Sequence, residues 1–186
     1  MMAEVGDLWV FGYGSLMWRP SFDFLERHIG RIHGFHRSLC VYSYHHRGTP
    51  DRPGLVLGLD RGGSCRGIAY RVAAALRDDT VAYLREREQV TSVYVERYAP
   101  VTLDDCRLVT GLAYVIDRAH EQYAGRLGVS ELLRHVRPGV GASGANPEYV
   151  RNTHEHLLEL GVDDPVLARL VRELRTDEGR RKTEGG

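Results

Sequence analysis

A short segment that contains glycine and serine, FGYGSLMW at residues 11–18, is the first candidate for chemistry. A dinucleotide-binding loop needs the pattern G-x-G-x-x-G, but its third glycine position is held by Met17. A nucleophilic serine turn needs G-x-S-x-G, but the glycine positions around Ser15 are held by Tyr13 and Met17. The remaining function is a turn whose backbone N–H groups and serine hydroxyl bind a carboxylate or an oxyanion. A turn that ends a strand without binding a ligand fits the pattern equally well.

The second candidate is the carboxylate of Glu88, in the segment YLREREQV. With successive residues ~100° apart on a helix, Glu88 falls on the apolar stripe and Glu86 falls on the polar face. Burial without a partner raises the pKa of a carboxyl group, which suits a general acid or base near neutral pH. The alternatives are a salt bridge to Arg85 or Arg87, or a side chain that turns to solvent at the helix end.

The composition limits the classes of protein to which the chain can belong. Its 186 residues suit one domain, which we expect over residues 1–176, with a short polar tail at 177–186 that we expect to be disordered. The 25 basic and 25 acidic residues balance, so we expect no nucleic-acid partner and no membrane surface. Three cysteines without close spacing, and no apolar run of ~20 residues, favour a cytoplasmic location.

Strand patterns dominate the first two thirds of the chain and helical patterns the last third. We expect strands, which are rich in β-branched and aromatic residues, at 8–14, 36–43, 54–59, 65–72, 94–103 and 108–116. We expect helices at 77–90, 130–139, 146–161 and 163–174, with N-caps at Asp78 or Asp79, Ser130, Asn146 and Asp164. This order predicts an α+β fold, with a small curved or closed β-barrel and flanking helices.

Five segments in order resemble the ChaC family of glutathione-specific γ-glutamylcyclotransferases: VFGYGSLMW, HRGTPDRPGLVLGL, GSCRGIAYRV, YLREREQ and SGANPEYVRNT. The resemblance runs from about Trp9 to about Leu160. It implies a small β-barrel, a reaction without metal or organic cofactor, and the products 5-oxoproline and cysteinylglycine. It also implies that Glu88, preceded by Arg87, is the catalytic acid/base. The loop that would hold the γ-glutamyl group of the small-molecule substrate is Val10, Phe11, Gly12, Tyr13, Gly14, Ser15 and Leu16.

Two further residues are candidates for substrate binding. Arg47, in the loop segment YHHRGTP, can bind a carboxylate, although an arginine that stabilises a turn is an equal alternative. The resemblance implies that Tyr149 contacts the substrate, and the alternative is an aromatic side chain that packs on Leu160. Two other functions stay open: the same chemistry on other γ-glutamyl amino acids or γ-glutamylamines, and a non-catalytic module that binds γ-glutamyl ligands.

Overall fold

The computed structural model describes residues 6–88 and 92–184. Five of its strands form a closed barrel in the order β1–β3–β2–β4–β5. Their bounds are β1 Leu8–Gly12, β2 Glu26–Ser43, β3 Gly54–Val72, β4 Tyr94–Leu103 and β5 Leu108–Ile116. The described residues also contain four α-helices, α1 Arg77–Glu88, α2 Val129–Val136, α3 Asn146–Glu159 and α4 Pro165–Glu184. The prediction of an α+β fold with a closed barrel is confirmed.

Strand β1 closes the barrel because it has a partner strand on each side. It pairs antiparallel with β3, from Leu8 opposite Val72 to Gly12 opposite Ile68. On its other side it pairs parallel with β5, where Val10 lies opposite Leu112. The side chains of Leu8, Val10 and Leu112 are buried in one cluster. The loop that follows Gly12 therefore starts from a strand that is held on both edges.

The two longest strands differ from the prediction. The structure has one continuous strand at Gly54–Val72 where the sequence suggests two, and β2 begins at Glu26, ten residues before the predicted start at His36. Glycines with positive φ lie inside both strands, Gly34 (φ 87°) in β2, and Gly62 (φ 99°) and Gly63 (φ 72°) in β3. Glycine adopts this conformation without a steric penalty, so glycines that suggest turns in the sequence lie here inside strands.

The chain forms two compact units. The first unit contains the described parts of Met1–Ser38 and Gly58–Tyr123, and the second contains those of Leu39–Leu57 and Ala124–Gly186. In the first unit, helix α1 follows a 3₁₀ turn at Ala74–Leu76. The predicted caps Asp78 and Asp79 lie inside the first turn of α1, and the Asp7 carboxylate instead accepts the Ala74 N–H at 2.9 Å. Leu84 of α1 packs in the buried cluster of β1 and β5.

The second unit contains α2, α3, α4 and a two-stranded hairpin, β6 Val140–Gly141 and β7 Gly144–Ala145. The predicted cap at Asp164 is present, because its Oδ1 accepts the N–H groups of Val166 and Leu167, both at 3.1 Å. The predicted cap at Ser130 is wrong, since α2 begins at Val129 and the Glu131 carboxylate accepts the Gly128 N–H at 3.1 Å.

Asn146 has a different role from the predicted cap. It is the first residue of α3, and its buried side chain pairs with the backbone of Leu55. The Leu55 N–H donates to Asn146 Oδ1 at 2.8 Å, and Asn146 Nδ2 donates to the Leu55 carbonyl at 2.8 Å. The side-chain amide of Asn146 therefore forms the two backbone hydrogen bonds with Leu55 that a neighbouring strand would form.

The extent of the domain, residues 1–176 with a disordered tail at 177–186, stays a prediction. Helix α4 runs from Pro165 to Glu184 and so includes residues 177–184 of that segment. Among the described helices, none combines the length and the apolar character that crossing a membrane requires.

Replacement of Asn146 by alanine should lower the free energy of unfolding by about 2 to 4 kcal/mol, because it leaves the N–H and C=O of Leu55 without these partners in a buried place. Urea unfolding followed by circular dichroism measures the change. Asn152→Ala is the matched control, because Asn152 lies exposed on the same helix. Equal effects of the two substitutions would show that the paired amide contributes nothing to stability.

Candidate active site

The loop after β1 folds into a tight turn at Gly14–Trp18. The Met17 N–H donates to the Gly14 carbonyl at 2.9 Å, and the Ser15 carbonyl accepts the Trp18 N–H at 3.3 Å and the Arg19 N–H at 2.8 Å. These bonds close a 3₁₀ helix over Ser15–Met17. The N–H groups of Gly14, Ser15 and Leu16 are not donors in these turn bonds.

Two polar side chains anchor the carbonyl groups of this loop. Arg37 donates from Nε to the Tyr13 carbonyl at 2.7 Å and from Nη2 to the Arg66 carbonyl at 2.6 Å. The buried Tyr70 hydroxyl lies 2.7 Å from the Met17 carbonyl oxygen and 3.0 Å from that of Leu16. Burial also raises the pKa of Tyr70 to about 12, so this phenol stays protonated and remains a donor.

A glycine on β3 allows the backbone of β1 to come close. A Cβ atom on Gly67 would overlap the Gly12 carbonyl oxygen and lie 2.7 Å from Phe11 Cζ. Distances below 3.0 Å are essentially never seen for real Cβ atoms, so the backbone would have to shift. Gly67, Arg37 and Tyr70 are site-shaping residues that sequence reasoning missed. The sequence signal for Gly67 is its position inside a predicted strand, where a glycine can mark the close approach of another backbone segment.

The candidate loop residues divide by exposure. The side chains of Val10, Phe11, Tyr13 and Leu16 are buried, whereas that of Ser15 is exposed. Ser15 differs, because its hydroxyl lies at the surface next to the turn.

Glu88 is the last residue of α1, and its side chain is 17% exposed, whereas Glu86 is exposed. Desolvation by burial raises the pKa of the Glu88 carboxyl group above its usual value, and the charge of Arg87 partly opposes this rise. The distance from Arg87 Nε to Glu88 Oε1 is 3.4 Å. The carboxylate is thus both largely buried and next to a cation. The other neighbouring arginine, Arg85, pairs instead with Glu96 at 2.5 Å.

Arg87 connects the end of α1 with the loop. Its Nη2 donates to Ser15 Oγ at 2.9 Å, and its Nη1 donates to the Arg19 carbonyl at 2.7 Å and to the Tyr83 hydroxyl at 2.8 Å. The structure therefore brings together the two candidates from the sequence, the Gly-Ser loop and Glu88, through one guanidinium group.

Arg47 and Tyr149 lie in the second unit and contact each other. The Arg47 guanidinium carbon is 5.2 Å from the centre of the Tyr149 ring, which is within the range of a cation–π interaction. Tyr149 also accepts the Leu57 N–H on its hydroxyl at 3.1 Å, and the Arg47 N–H donates to Ser43 Oγ at 3.0 Å. The role of both residues in substrate binding stays a prediction.

One group of potential metal ligands occurs in the described residues, His28, Asp104 and Asp105. Arg107 already occupies this group, because its Nη2 lies 3.0 Å from His28 Nε2 and its Nε pairs with Asp105 at 2.7 Å. The hydrogen bond with Asp104 raises the pKa of His28, which favours the protonated ring and opposes metal binding. The group fits an ion-pair network better than a metal site.

Comparison with known proteins identifies the family. The family model described as ChaC-like protein matches residues 8–177. The chain belongs to the ChaC-like family. A protein of Escherichia coli (strain K12) named glutathione-specific gamma-glutamylcyclotransferase is 32% identical over 168 residues, which cover 90% of this chain and 73% of that protein. A human protein named glutathione-specific gamma-glutamylcyclotransferase 1 is 31% identical over 170 residues, which cover 88% of this chain and 77% of that protein.

Solved structures support the fold independently. The crystal structure of a yeast gamma-glutamyl cyclotransferase specific to glutathione superposes with a TM-score of 0.79, at 22% identity, over 92% of this chain and 96% of the yeast chain. A structure titled gamma-glutamyl cyclotransferase has a TM-score of 0.54 at 17% identity, over 88% of this chain and 86% of that chain. At these identities the likeness extends to the fold.

Replacement of Gly67 by alanine should lower the free energy of unfolding by about 1 to 3 kcal/mol, because the added methyl group forces the Gly12 carbonyl and the Phe11 ring to move. Urea unfolding measures the loss. Gly6→Ala is the control, since a Cβ on Gly6 has no atom within 4 Å among the described residues. A Gly67→Ala protein as stable as the wild type would mean that the close approach does not constrain the loop.

Proposed function

We propose that this chain is a glutathione-specific γ-glutamylcyclotransferase that converts glutathione to 5-oxoproline and cysteinylglycine in the cytoplasm. The observation that carries the proposal is the position of Glu88. It is a largely buried carboxylate with a raised pKa, and Arg87 links it to the Gly-Ser loop. Membership of the ChaC-like family and the names of the relatives from Escherichia coli and human support the substrate.

The reaction is an intramolecular aminolysis. The α-amine of the γ-glutamyl group attacks its own γ-carbonyl carbon, and the new C–N bond closes a five-membered lactam. The bond from that carbon to the cysteine nitrogen then breaks, and the cysteine nitrogen leaves as the amine of cysteinylglycine. Because the nucleophile is tethered to the carbonyl, the protein gains most by holding the substrate in the attacking conformation.

Glu88 performs the two proton transfers in this scheme. The substrate ammonium must lose a proton before it attacks, and the leaving nitrogen must gain one. A single carboxylate accepts the first proton and then delivers it to the leaving group, and a raised pKa makes that carboxylate a stronger base for the first transfer. No step of this scheme requires a metal or an organic cofactor.

The backbone N–H groups of the loop would bind another part of the substrate. In the loop of Val10–Leu16, the N–H groups of Gly14–Leu16 are suited to bind the α-carboxylate or the oxyanion that forms on the γ-carbonyl. The exposed Ser15 hydroxyl can orient the same group. We assign Arg47 and Tyr149 to substrate binding as well, with the guanidinium as a partner for a carboxylate.

Incubation of the purified protein with reduced glutathione tests the proposal, with cysteinylglycine and 5-oxoproline measured by mass spectrometry. We expect both products in equal amounts. Turnover of γ-glutamyl amino acids or γ-glutamylamines but not of glutathione would assign the same chemistry to another substrate. Binding of glutathione without product would identify a non-catalytic module.

Glu88→Gln should fold normally and lose at least a factor of about 100 in turnover, because the amide has nearly the same shape but cannot exchange a proton at neutral pH. Glu86→Gln is the matched control, since Glu86 is exposed on the same helix and should keep nearly full activity. Steady-state kinetics with glutathione measure both. Equal losses in the two variants would contradict the assignment of Glu88 as the acid/base.

A further inference from the structure

The guanidinium of Arg87 has four partners within 3.4 Å and a fifth, the Pro20 carbonyl, at 3.5 Å from Nη1. The nitrogen atoms divide these partners: Nη2 faces Ser15 Oγ at 2.9 Å, Nη1 faces the Arg19 carbonyl at 2.7 Å and the Tyr83 hydroxyl at 2.8 Å, and Nε faces Glu88 Oε1 at 3.4 Å. The Arg87 side chain is 20% exposed, so most of its surface is shielded from water. Arginine has a planar group with N–H donors on three nitrogen atoms, whereas lysine has a single ammonium nitrogen.

We propose that Arg87 is a positioning residue of the cyclotransferase reaction, whose guanidinium holds the Ser15 hydroxyl and the Glu88 carboxylate in one fixed arrangement. This inference rests on the proposed function. The loop and the acid/base group belong to separate elements. The loop follows β1, and Glu88 lies at the end of α1. Among the contacts described, the Arg87 side chain is the group that touches both.

The charge of Arg87 has a second effect, which separates this role from simple support of the fold. Burial raises the pKa of Glu88, and Arg87 is the charge that opposes it. The other titratable groups nearby are Tyr83 on α1, Tyr114 on β5 and Glu96 on β4, and Glu96 is itself paired with Arg85. Burial raises the pKa of Tyr114, the charge and hydrogen bond of Glu96 and the charge of Glu88 add to the rise, and this phenol stays neutral.

The direction in which the loss of Arg87 changes the pKa of Glu88 can therefore be predicted. Without the cation, burial acts unopposed and the pKa of Glu88 rises further. Glu88 must be ionised to accept the proton of the substrate ammonium. The acidic limb of the pH profile of kcat then moves to higher pH. Loss of the bond to Ser15 acts separately, because it frees the loop and raises KM.

Three variants test the inference by measurement of kcat and KM for glutathione from about pH 5 to 9. For Arg87→Gln we expect the acidic limb of kcat to move up by about one pH unit, with a rise of KM. For Arg87→Lys we expect the limb to return most of the way to its wild-type position, because the charge is restored, while KM stays raised. Arg85→Gln is the matched control, because it removes a cation of the same helix that pairs with Glu96, and its limb should not move.

Several outcomes would overturn the proposal. An unmoved limb and an unchanged KM in Arg87→Gln would show that the guanidinium only supports the fold, and so would a limb that moves equally in Arg85→Gln. If Arg87→Gln does not fold, as judged by circular dichroism, Arg87→Lys decides alone: a wild-type KM with a wild-type limb contradicts the positioning role.

A second readout distinguishes failure of this inference from failure of the proposed function. If the wild-type protein releases no product from glutathione, the proposed function fails. The carboxyl carbon of Glu88 can then be titrated by ¹³C NMR in wild type and in Arg87→Gln. A higher Glu88 pKa in the variant supports the coupling between Arg87 and Glu88, and equal values overturn it.

Discussion

The close approach of β3 to the end of β1 is the constraint on which the first unit depends. At Gly67 the absence of a side chain lets the Gly12 carbonyl and the Phe11 ring lie against the strand. The same strand continues to Tyr70, whose hydroxyl holds the carbonyls of the following turn, and ends at Val72. From there the chain passes through a 3₁₀ turn into α1, which ends at Glu88. One strand therefore lies against the start of the loop, anchors the loop and leads to the helix that carries Glu88, the proposed acid/base group.

The environment of Glu88 combines two opposing effects on one carboxyl group. Desolvation favours the neutral form, and the positive charge of Arg87 favours the ionised form. A group that must first accept a proton and then return it needs both forms to be accessible near neutral pH. Because Arg87 also binds Ser15, the residue that sets this balance is the one that connects the carboxylate to the loop. The position of the Glu88 carboxylate relative to the loop and its affinity for a proton therefore depend on the same residue.

Elements with strong local patterns could be predicted from the sequence, and contacts between distant segments could not. Strands β4 and β5 have the predicted bounds. In β2 and β3, by contrast, glycines that suggest turns lie inside strands, since positive φ is compatible with both. The helical face predicted for Glu88 agrees with its partial burial. The anchors Arg37 and Tyr70 bind backbone carbonyls, so nothing in their side-chain type identifies their partners, and only the pairing of the strands brings them to the loop.

The anchors also determine which way the loop presents its N–H groups. In a planar trans peptide, the carbonyl of one residue and the N–H of the next point in opposite directions. Arg37 holds the Tyr13 carbonyl, so the Gly14 N–H of the same peptide unit points away from Arg37. The bonds of the turn itself use the Met17, Trp18 and Arg19 N–H groups, but not that of Gly14. The Arg37 bond to the Tyr13 carbonyl thus orients the Gly14 donor to the opposite side of the peptide, where the proposed function has a substrate carboxylate or oxyanion accept it.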